Sequence, residues 1–190
     1  EWMLKALLDP EKGALKSMDE IGAVGHRVLH GGERFTASVL INEEVKEAIR
    51  ANIPLGPLHN PANLMGIEAC EKVMPGTPNV AVFDTAFHQT MPPKSYMYGV
   101  PMDYYERLHV RRYGFHGTSH RYVSKRACEF LGISREGTRV ITCHLGNGSS
   151  LAAVQDGKCL DTSMGITPLE GVLMGTRCGS VDAAVVQYIA

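Results

Sequence analysis

Apolar residues recur along the chain with two different spacings, which predict strands and helices in turn. Residues 21–30 alternate with a period of two, so they are predicted to form a strand with Gly25, Arg27 and Leu29 on one side. Residues 79–84 form a short apolar run, which predicts a buried strand ending in a carboxylate, Asp84.

Two helices are predicted between these strands. The first is expected to begin at an N-cap, Asn42. Its apolar side is predicted to be Val45, Ala48, Ile49 and Ile53. The second is expected to open at Asn60-Pro61, with Asn as the N-cap and Pro at the first helical position.

The second half of the chain predicts a helix followed by three short strands. Ser119 is expected to cap the helix and Gly132 to end it. Its inward side is predicted to be Tyr122, Val123, Ala127, Phe130 and Leu131. The strands are predicted at residues 139–145, 149–154 and 158–162, with hairpin turns at 146–148 and 156–157.

The remaining segments carry weaker signals. The prolines at positions 92, 93 and 101 predict a loop-like stretch that is the best candidate for a crossing between domains. Residues 168–174 predict a short helix or a loop, and Ser180 is expected to cap the last helix. Alternating strands and helices predict an α/β fold with a mixed or mostly parallel sheet.

Composition narrows the class of protein. The chain has 190 residues, 44% of them hydrophobic and 21% charged, with a net charge of -1. Its Lys and Arg residues are scattered, which argues against a nucleic-acid-binding surface. It has neither an apolar run long enough to span a bilayer nor a signal-peptide pattern. The five widely spaced cysteines predict reduced, mostly buried thiols of a cytoplasmic protein.

Both ends of the sequence, at Glu1 and Ala190, lie inside helical patterns. We therefore expect an internal segment of a longer protein.

A glycine-rich turn is the first candidate for chemistry. It consists of His144, Leu145, Gly146, Asn147 and Gly148, followed by two serines. Glycines beside an Asn permit positive φ, so successive backbone N–H groups are expected to converge on a phosphate. Taken alone, the turn is equally consistent with an ordinary Asn-Gly hairpin.

Asp84 and His116 are the next candidates. A carboxylate at the carboxyl end of a buried strand suits a general base, a nucleophile or an indirect Mg²⁺ contact, but also a simple turn cap. His116 precedes a predicted helix N-terminus, where anions are favoured. The spacing of His116 and His120 also permits a zinc site, although Gly117 and Ser119 put His116 outside the helix. His120 is expected to be structural.

Two arginines complete the set. Arg27 shares a strand face with Leu29, an arrangement that suits a small carboxylate with charge at one end and a methyl group at the other. Arg177 lies in a Gly-rich loop that can bring charge to a phosphoryl group. Singly, each is consistent with a surface ion pair; together with His116, Asp84 and the turn they supply the parts that phosphoryl transfer needs.

Several strings of the sequence resemble the acetate kinase family, in the same order and over nearly the whole chain. They are residues 26–33 (HRVLHGGE), 57–61 (PLHNP), 83–88 (FDTAFH), 113–120 (YGFHGTSH), 144–150 (HLGNGSS), 161–165 (DTSMG) and 175–177 (GTR). The resemblance implies reversible phosphorylation of a short-chain carboxylate by ATP with Mg²⁺. It also implies the duplicated actin-like α/β fold, with residues 1–86 the rest of the N-terminal lobe and 87–190 the start of the C-terminal lobe.

The resemblance also implies roles for particular residues. Asp84 would be the catalytic carboxylate, His116 and Arg177 would stabilise the transferring phosphoryl group, and residues 144–148 would hold ATP phosphates. Arg27 would bind the carboxylate or acyl phosphate, with His59 supporting it. The methyl pocket would be formed by Leu29, Leu58, Phe115 and Pro168.

This sequence departs from the family pattern in two ways. Leu29 stands where the family more often has Val, so a smaller pocket that favours acetate over propionate by about 1–3 kcal/mol is expected. The phosphate, adenosine and Mg²⁺ segments of the family are expected outside residues 1–190. The resemblance further implies a cytoplasmic homodimer with acetate, acetyl phosphate, ATP and ADP as partners, and neither nucleic acid nor membrane.

Three alternatives stay open at this point. A propionate or butyrate kinase would have the same motifs. A truncated chain would bind phosphate without turnover. A metal-dependent hydrolase would use the histidines as zinc ligands.

Overall fold

The computed structural model describes residues 2–190, and Glu1 lies outside the described residues. The helices in this part of the chain are α1 (Trp2–Leu7), α2 (Glu43–Ala51), α3 (Asn60–Val73), α4 (Pro93–Tyr96), α5 (Met102–Leu108), α6 (Gly117–Leu131) and α7 (Ala183–Ile189). The strands are β1 (Val24–Val28), β2 (Val39–Leu40), β3 (Asn79–Phe83), β4 (Arg139–Leu145), β5 (Ser149–Gln155) and β6 (Lys158–Thr162). Short 3₁₀ turns lie at Met18–Glu20, Ile53–Leu55 and Ala86–Thr90.

The chain divides into two compact units. The first contains the residues up to Gly31 and Ser38–Phe83, and the second contains Gly32–Ala37 and Asp84–Ala190. The predicted lobes, 1–86 and 87–190, remain a prediction for the larger fold.

The first unit is built on a mixed sheet with the strand order β1-β3-β2, in which β3 runs parallel to β1 and antiparallel to β2. Asn42 precedes helix α2 and its side chain accepts from the Val45 backbone N–H, so the predicted N-cap is confirmed. Val28, Ile49, Ile67 and Phe83 are almost completely buried and form part of its core.

Two predictions in the first unit were wrong. Strand β1 stops at Val28 because the next backbone N–H groups are taken by side chains of α3: Asn63 accepts from Leu29 and Asn60 accepts from His30. Asn60 is not an N-cap. It is the first residue of α3, and its buried amide also donates to the His30 and Ile49 carbonyls.

The second unit is built on an antiparallel sheet with the order β4-β5-β6. The three predicted strands and both hairpin turns are therefore confirmed, with β5 one residue longer than expected. Helix α6 contacts β4 and ends at Gly132, which has φ 65° and so provides the predicted C-terminal stop.

The predicted inward side of α6 was wrong. Tyr122, Val123, Phe130 and Leu131 are exposed, and Ala127 is only half-buried. The residues that α6 buries are Gly117, His120, Ser124 and Cys128. The helix also begins two residues before Ser119, so Ser119 lies inside its first turn. The inward side of this helix is polar because it faces the hydroxyl and imidazole groups of the sheet.

Two further segments differ from prediction. The proline-rich stretch is helical over α4 and α5, since Pro93 occupies the first turn of α4, where its missing N–H costs nothing. Asp182, not Ser180, caps α7, and Ser180 instead accepts from the Gly171 backbone. Residues 168–174 form a loop with turns, which is one of the two forms predicted for them.

An ion pair between buried Arg111 and half-buried Glu33 connects the segment Gly32–Ala37 to the rest of the second unit. Glu33 accepts from Arg111 Nη1 at 2.6 Å and from the Tyr105 hydroxyl at 3.0 Å. The Arg111 guanidinium lies 3.7 Å from the centre of the Tyr96 ring, a cation–π contact.

All five cysteines are free, as expected, but only Cys128 and Cys159 are buried, so the prediction of mostly buried thiols was wrong. Among the described residues, no helix combines the length and apolar character needed to cross a membrane.

Candidate active site

The candidate site of the second unit is built on one face of the β4–β5 hairpin. Side chains alternate along a strand, so Thr142 and His144 point to one face of β4 while Cys143 and Leu145 point to the other. Opposite them on β5 lie Ala152 and Ser150, paired with Thr142 and His144 respectively. This face is the one that α6 covers.

Three histidines meet on this face. The His116 and His144 rings stack with their centres 4.0 Å apart, and His144 Nδ1 lies 2.9 Å from Ser119 Oγ. His120 is buried, with its two ring nitrogens 2.7 Å from Thr142 Oγ1 and 2.8 Å from Ser150 Oγ. Burial, followed by the charges of the neighbouring histidines, lowers the pKa of His120 to about 3, so its ring is neutral at physiological pH.

Asp84 lies beside the N-terminus of α6. Its carboxylate is almost fully buried, and Oδ2 accepts from the His116 backbone N–H at 3.4 Å. The Asp84 carbonyl accepts from the Gly117 N–H at 3.0 Å. His116 occupies the N-cap position with φ 58°, a left-handed conformation that is uncommon for a non-glycine residue. The prediction that His116 precedes a helix N-terminus is confirmed.

The glycine-rich turn and the Arg177 loop lie side by side. A Cβ built on Gly148 would lie 2.7 Å from Arg177 Nη2 and 3.1 Å from His116 Nε2. A Cβ on Gly175 would lie 3.6 Å from Asn147 Oδ1. Arg177 Nη1 donates to the Pro168 carbonyl at 2.6 Å, which fixes the direction of the guanidinium. The structure therefore brings His116, Arg177 and the turn together.

The conformation predicted for the turn was wrong. None of Gly146, Asn147 and Gly148 has a positive φ. The backbone N–H groups therefore do not converge through positive φ angles as predicted. Instead, the Gly146 N–H donates to the Gly148 carbonyl at 3.1 Å. Glycine at 148 leaves space for the Arg177 guanidinium and the His116 ring, which both approach it closely.

Arg112 holds the loop that carries Pro168. Its Nη1 donates to three successive carbonyls, those of Thr162, Ser163 and Met164, at 2.9 to 3.1 Å. Its Nη2 donates to Glu170 at 2.7 Å. Nothing in the sequence pattern singled out Arg112, since its partners are mostly backbone groups.

The sequence also carried no signal for a buried contact between His88 and Cys159. His88 Nε2 donates to the Phe115 carbonyl at 2.8 Å, and its Nδ1 lies 3.1 Å from Cys159 Sγ. Burial lowers the pKa of His88 to about 4 and raises the pKa of the Cys159 thiol to about 12, so both groups are neutral. Phe115, predicted to line a methyl pocket, is fully buried in this unit.

The other predicted binding residues belong to the first unit. Arg27 is exposed on β1, Leu29 is buried one residue beyond that strand, Leu58 is 86% exposed and His59 precedes α3. Their roles stay predictions.

The described residues do not fit a Mg²⁺ site. Among them, no group of three or more His, Cys, Asp or Glu side chains is placed to hold a metal ion. Mg²⁺ prefers several oxygen ligands, and no such group is placed together among these residues.

Comparison with known proteins identifies the family. The model of the acetokinase family matches residues 2–190. An acetate kinase of Bacteroides thetaiotaomicron is 62% identical over 189 residues, which is 100% of this chain and 47% of the relative. This chain thus spans about half the length of the curated relatives it matches.

Two solved structures have the same fold. An acetate kinase of Porphyromonas gingivalis superposes with a TM-score of 0.94 at 56% identity, over 99% of this chain and 47% of that one. A propionate kinase of Francisella tularensis superposes with a TM-score of 0.91 at 50% identity, over 99% and 47%. The fold is therefore that of the short-chain carboxylate kinases, part of the actin-like α/β class. The chain belongs to the acetokinase family.

Proposed function

We propose that the enzyme to which this chain belongs transfers the γ-phosphoryl group of ATP reversibly and in line to acetate, giving acetyl phosphate and ADP. The observation that carries this proposal is the approach of His116 and Arg177 to the same side of Gly148. Two cation-forming side chains around a glycine turn match what a phosphoryl group in transfer requires, namely positive charge on its equatorial oxygens.

Each candidate residue of the second unit has a distinct role in this proposal. Arg177, held by the Pro168 carbonyl, supplies a fixed positive charge. His116 donates from its ring to a phosphoryl oxygen. Residues 144–148 approach the ATP phosphates, and Asp84 acts as the catalytic carboxylate that orients the reacting groups beside the N-terminus of α6.

The other predicted residues would recognise the carboxylate substrate. Arg27 binds the carboxylate of acetate or the acyl phosphate, with His59 in support. The methyl group is taken by Leu29, Leu58, Phe115 and Pro168. This part of the proposal is supported by the family membership and by the residue types.

The complete enzyme would use Mg²⁺ with ATP, and we propose that the metal ligands lie outside this chain. It would act as a homodimer in the cytoplasm, a location that suits five free cysteines. We propose neither a nucleic-acid nor a membrane partner.

Variant kinetics test the role of the two cations. The test protein is a chimera in which this chain replaces the matching segment of the Bacteroides thetaiotaomicron relative. Arg177→Ala and His116→Ala are each expected to lower kcat by about 10²–10³-fold, the loss typical when one transition-state donor is removed. Arg139→Ala, an exposed arginine of β4, is the control. Equal kcat for all four proteins would refute the assignment.

The neighbouring propionate kinase makes substrate preference a separate question. We expect a higher kcat/KM for acetate than for propionate, by about 10-fold or more, because a single methylene is worth about 1–3 kcal/mol. A propionate preference in the chimera would assign the chain to a propionate kinase instead.

A further inference from the structure

A chain of hydrogen bonds runs from His116 into the interior of the second unit. Ser150 is fully buried, and its Oγ lies 2.8 Å from His116 Nδ1 and 2.8 Å from His120 Nε2. His120 Nδ1 lies 2.7 Å from Thr142 Oγ1. Thr142 Oγ1 in turn donates to the Ala152 carbonyl at 3.5 Å. Four side chains and one backbone carbonyl are thus connected in sequence.

The carbonyl at the inner end gives this chain one direction. A carbonyl only accepts, so the Thr142 hydroxyl donates its proton to Ala152 and accepts from His120 Nδ1. His120 is neutral because burial and neighbouring histidines lower its pKa to about 3, so it has one N–H and its Nε2 must accept. The hydroxyl of Ser150 therefore donates to His120 Nε2.

The direction of the Ser150 hydrogen bond determines which nitrogen of His116 carries a hydrogen. Because the Ser150 proton points to His120, its oxygen is left to accept, and the partner at 2.8 Å is His116 Nδ1. His116 Nδ1 must then carry a hydrogen. The second nitrogen, Nε2, is the one that lies near Gly148.

We propose that Ser150, His120 and Thr142 are positioning residues that fix neutral His116 as the Nδ1–H tautomer. In this arrangement Nε2 is the nitrogen at which the ring gains its second proton. The consequence for catalysis rests on the proposed function: only the protonated ring donates an N–H from Nε2 to a phosphoryl oxygen beside Arg177. The tautomer itself does not depend on that function.

Nitrogen NMR of the ¹⁵N-histidine-labelled chain reads the tautomer directly, at an alkaline pH where the His116 ring is neutral. The wild-type chain is expected to show Nδ1–H for His116. Ser150→Ala removes the acceptor, so a mixture that includes Nε2–H is expected. The matched control is Ser124→Ala. It removes a different buried serine hydroxyl, on the inner side of α6, and is expected to leave the tautomer unchanged.

Thr142→Val is the decisive variant because it acts on His116 only through His120 and Ser150. Without the threonine hydroxyl, His120 is expected to turn its N–H to Ser150, and Ser150 to donate to His116 Nδ1. His116 then becomes the Nε2–H tautomer, while Thr142→Ser restores Nδ1–H. Two results would overturn the proposal: an Nε2–H tautomer of His116 in the wild-type chain, or the same His116 tautomer in Thr142→Val as in the wild-type chain.

Kinetics of the chimera separate this proposal from the proposed function. Thr142→Val gives a neutral His116 ring that already carries Nε2–H, so its kcat is expected to fall less with rising pH than kcat of the unchanged chimera. Thr142→Ser is expected to restore the original pH profile, and KM for acetate and ATP is expected to stay unchanged in both variants. A chimera without turnover would refute the kinase function and leave the NMR result standing. Turnover with an unresponsive tautomer would refute the positioning role alone.

Discussion

At the scale of single residues, Gly148 explains why the hairpin contains a glycine where no positive φ requires one. Its missing Cβ leaves room for Arg177 and His116 on the same side of the turn. The terminal atoms of an arginine move easily, so a side chain at this position displaces the guanidinium rather than unfolding the hairpin.

Gly148→Ala is therefore expected to lower activity with little effect on stability. We expect kcat of the chimera to fall about 10- to 100-fold and the free energy of unfolding to change by less than about 1 kcal/mol. Crystal structures of the variant and of Gly146→Ala provide the structural readout. A Cβ at 146 has ordinary contacts, the nearest at 3.5 Å, so Arg177 should stay in place there. An undisturbed Arg177 in Gly148→Ala would contradict the prediction.

At the scale of elements, the start of α6 depends on close approach to Asp84. A Cβ on Gly117 would collide with the Asp84 carbonyl oxygen and lie 3.0 Å from Phe87 Cβ. Because the obstacle is backbone, it cannot move without disturbing the hydrogen bond that the Gly117 N–H donates to the same carbonyl.

Gly117→Ala should reduce the free energy of unfolding by about 1–3 kcal/mol, the usual cost of overpacking. Gly66→Ala is the matched change in α3, where a Cβ meets nothing within 4 Å, and it should stabilise the protein by about 0.5–1 kcal/mol. Urea unfolding of both variants measures the two values. Equal effects would show that helix propensity, rather than the contact with Asp84, decides the outcome.

Some elements could be predicted from the sequence and others could not. Strands β3 to β6 were predictable because apolar alternation and strong turn residues agree there. The inner side of α6 was not, because its buried residues His120 and Ser124 are polar. His120 bonds the hydroxyls of a hairpin more than 15 residues further along the chain. Periodicity detects apolar burial only.

The candidate site divides in the same way. His116, Arg177 and Asp84 were found from the sequence because glycine-rich loops and a strand end mark them. Thr142 and Arg112 were missed, since each acts through partners that only the folded chain brings near. One signal was available: Thr142 and His144 are two residues apart on a predicted strand and so share a face.

At the scale of the whole molecule, two buried neutral histidines make stability depend on pH. The pKa of His88 is lowered to about 4 and that of His120 to about 3, both chiefly by burial. In the unfolded chain histidines titrate near pH 6.5. Between about pH 3 and pH 6.5 the unfolded chain therefore binds more protons than the folded chain. The contribution of these two neutral rings to the free energy of unfolding is fully present above about pH 6.5 and is lost as the pH falls.

Thermal unfolding should show this loss. Each histidine is expected to reduce the free energy of unfolding by about 1.4 kcal/mol for each pH unit below 6.5, so Tm should fall clearly between pH 7 and pH 5. In this range Glu33 stays ionised, because hydrogen bonds from Arg111 and Tyr105 outweigh burial and keep the pKa of that carboxyl below its usual value. An unchanged Tm at pH 5 would contradict the assignment of neutral buried rings.

The length of the chain bears on whether it acts alone. It spans 47% of a relative that is 62% identical to it, and the described residues do not form a Mg²⁺ site. Under the proposed function, we expect the cluster around Gly148 to need groups from outside this chain before it acts on ATP.

The most direct test is the trapping of acyl phosphate with hydroxylamine, in the presence of ATP, Mg²⁺ and acetate. We predict that the chimera forms acetyl hydroxamate and that the 190-residue chain alone does not. Full turnover by the chain alone would contradict the need for groups outside this chain. A folded chimera that forms no hydroxamate would contradict the kinase function itself.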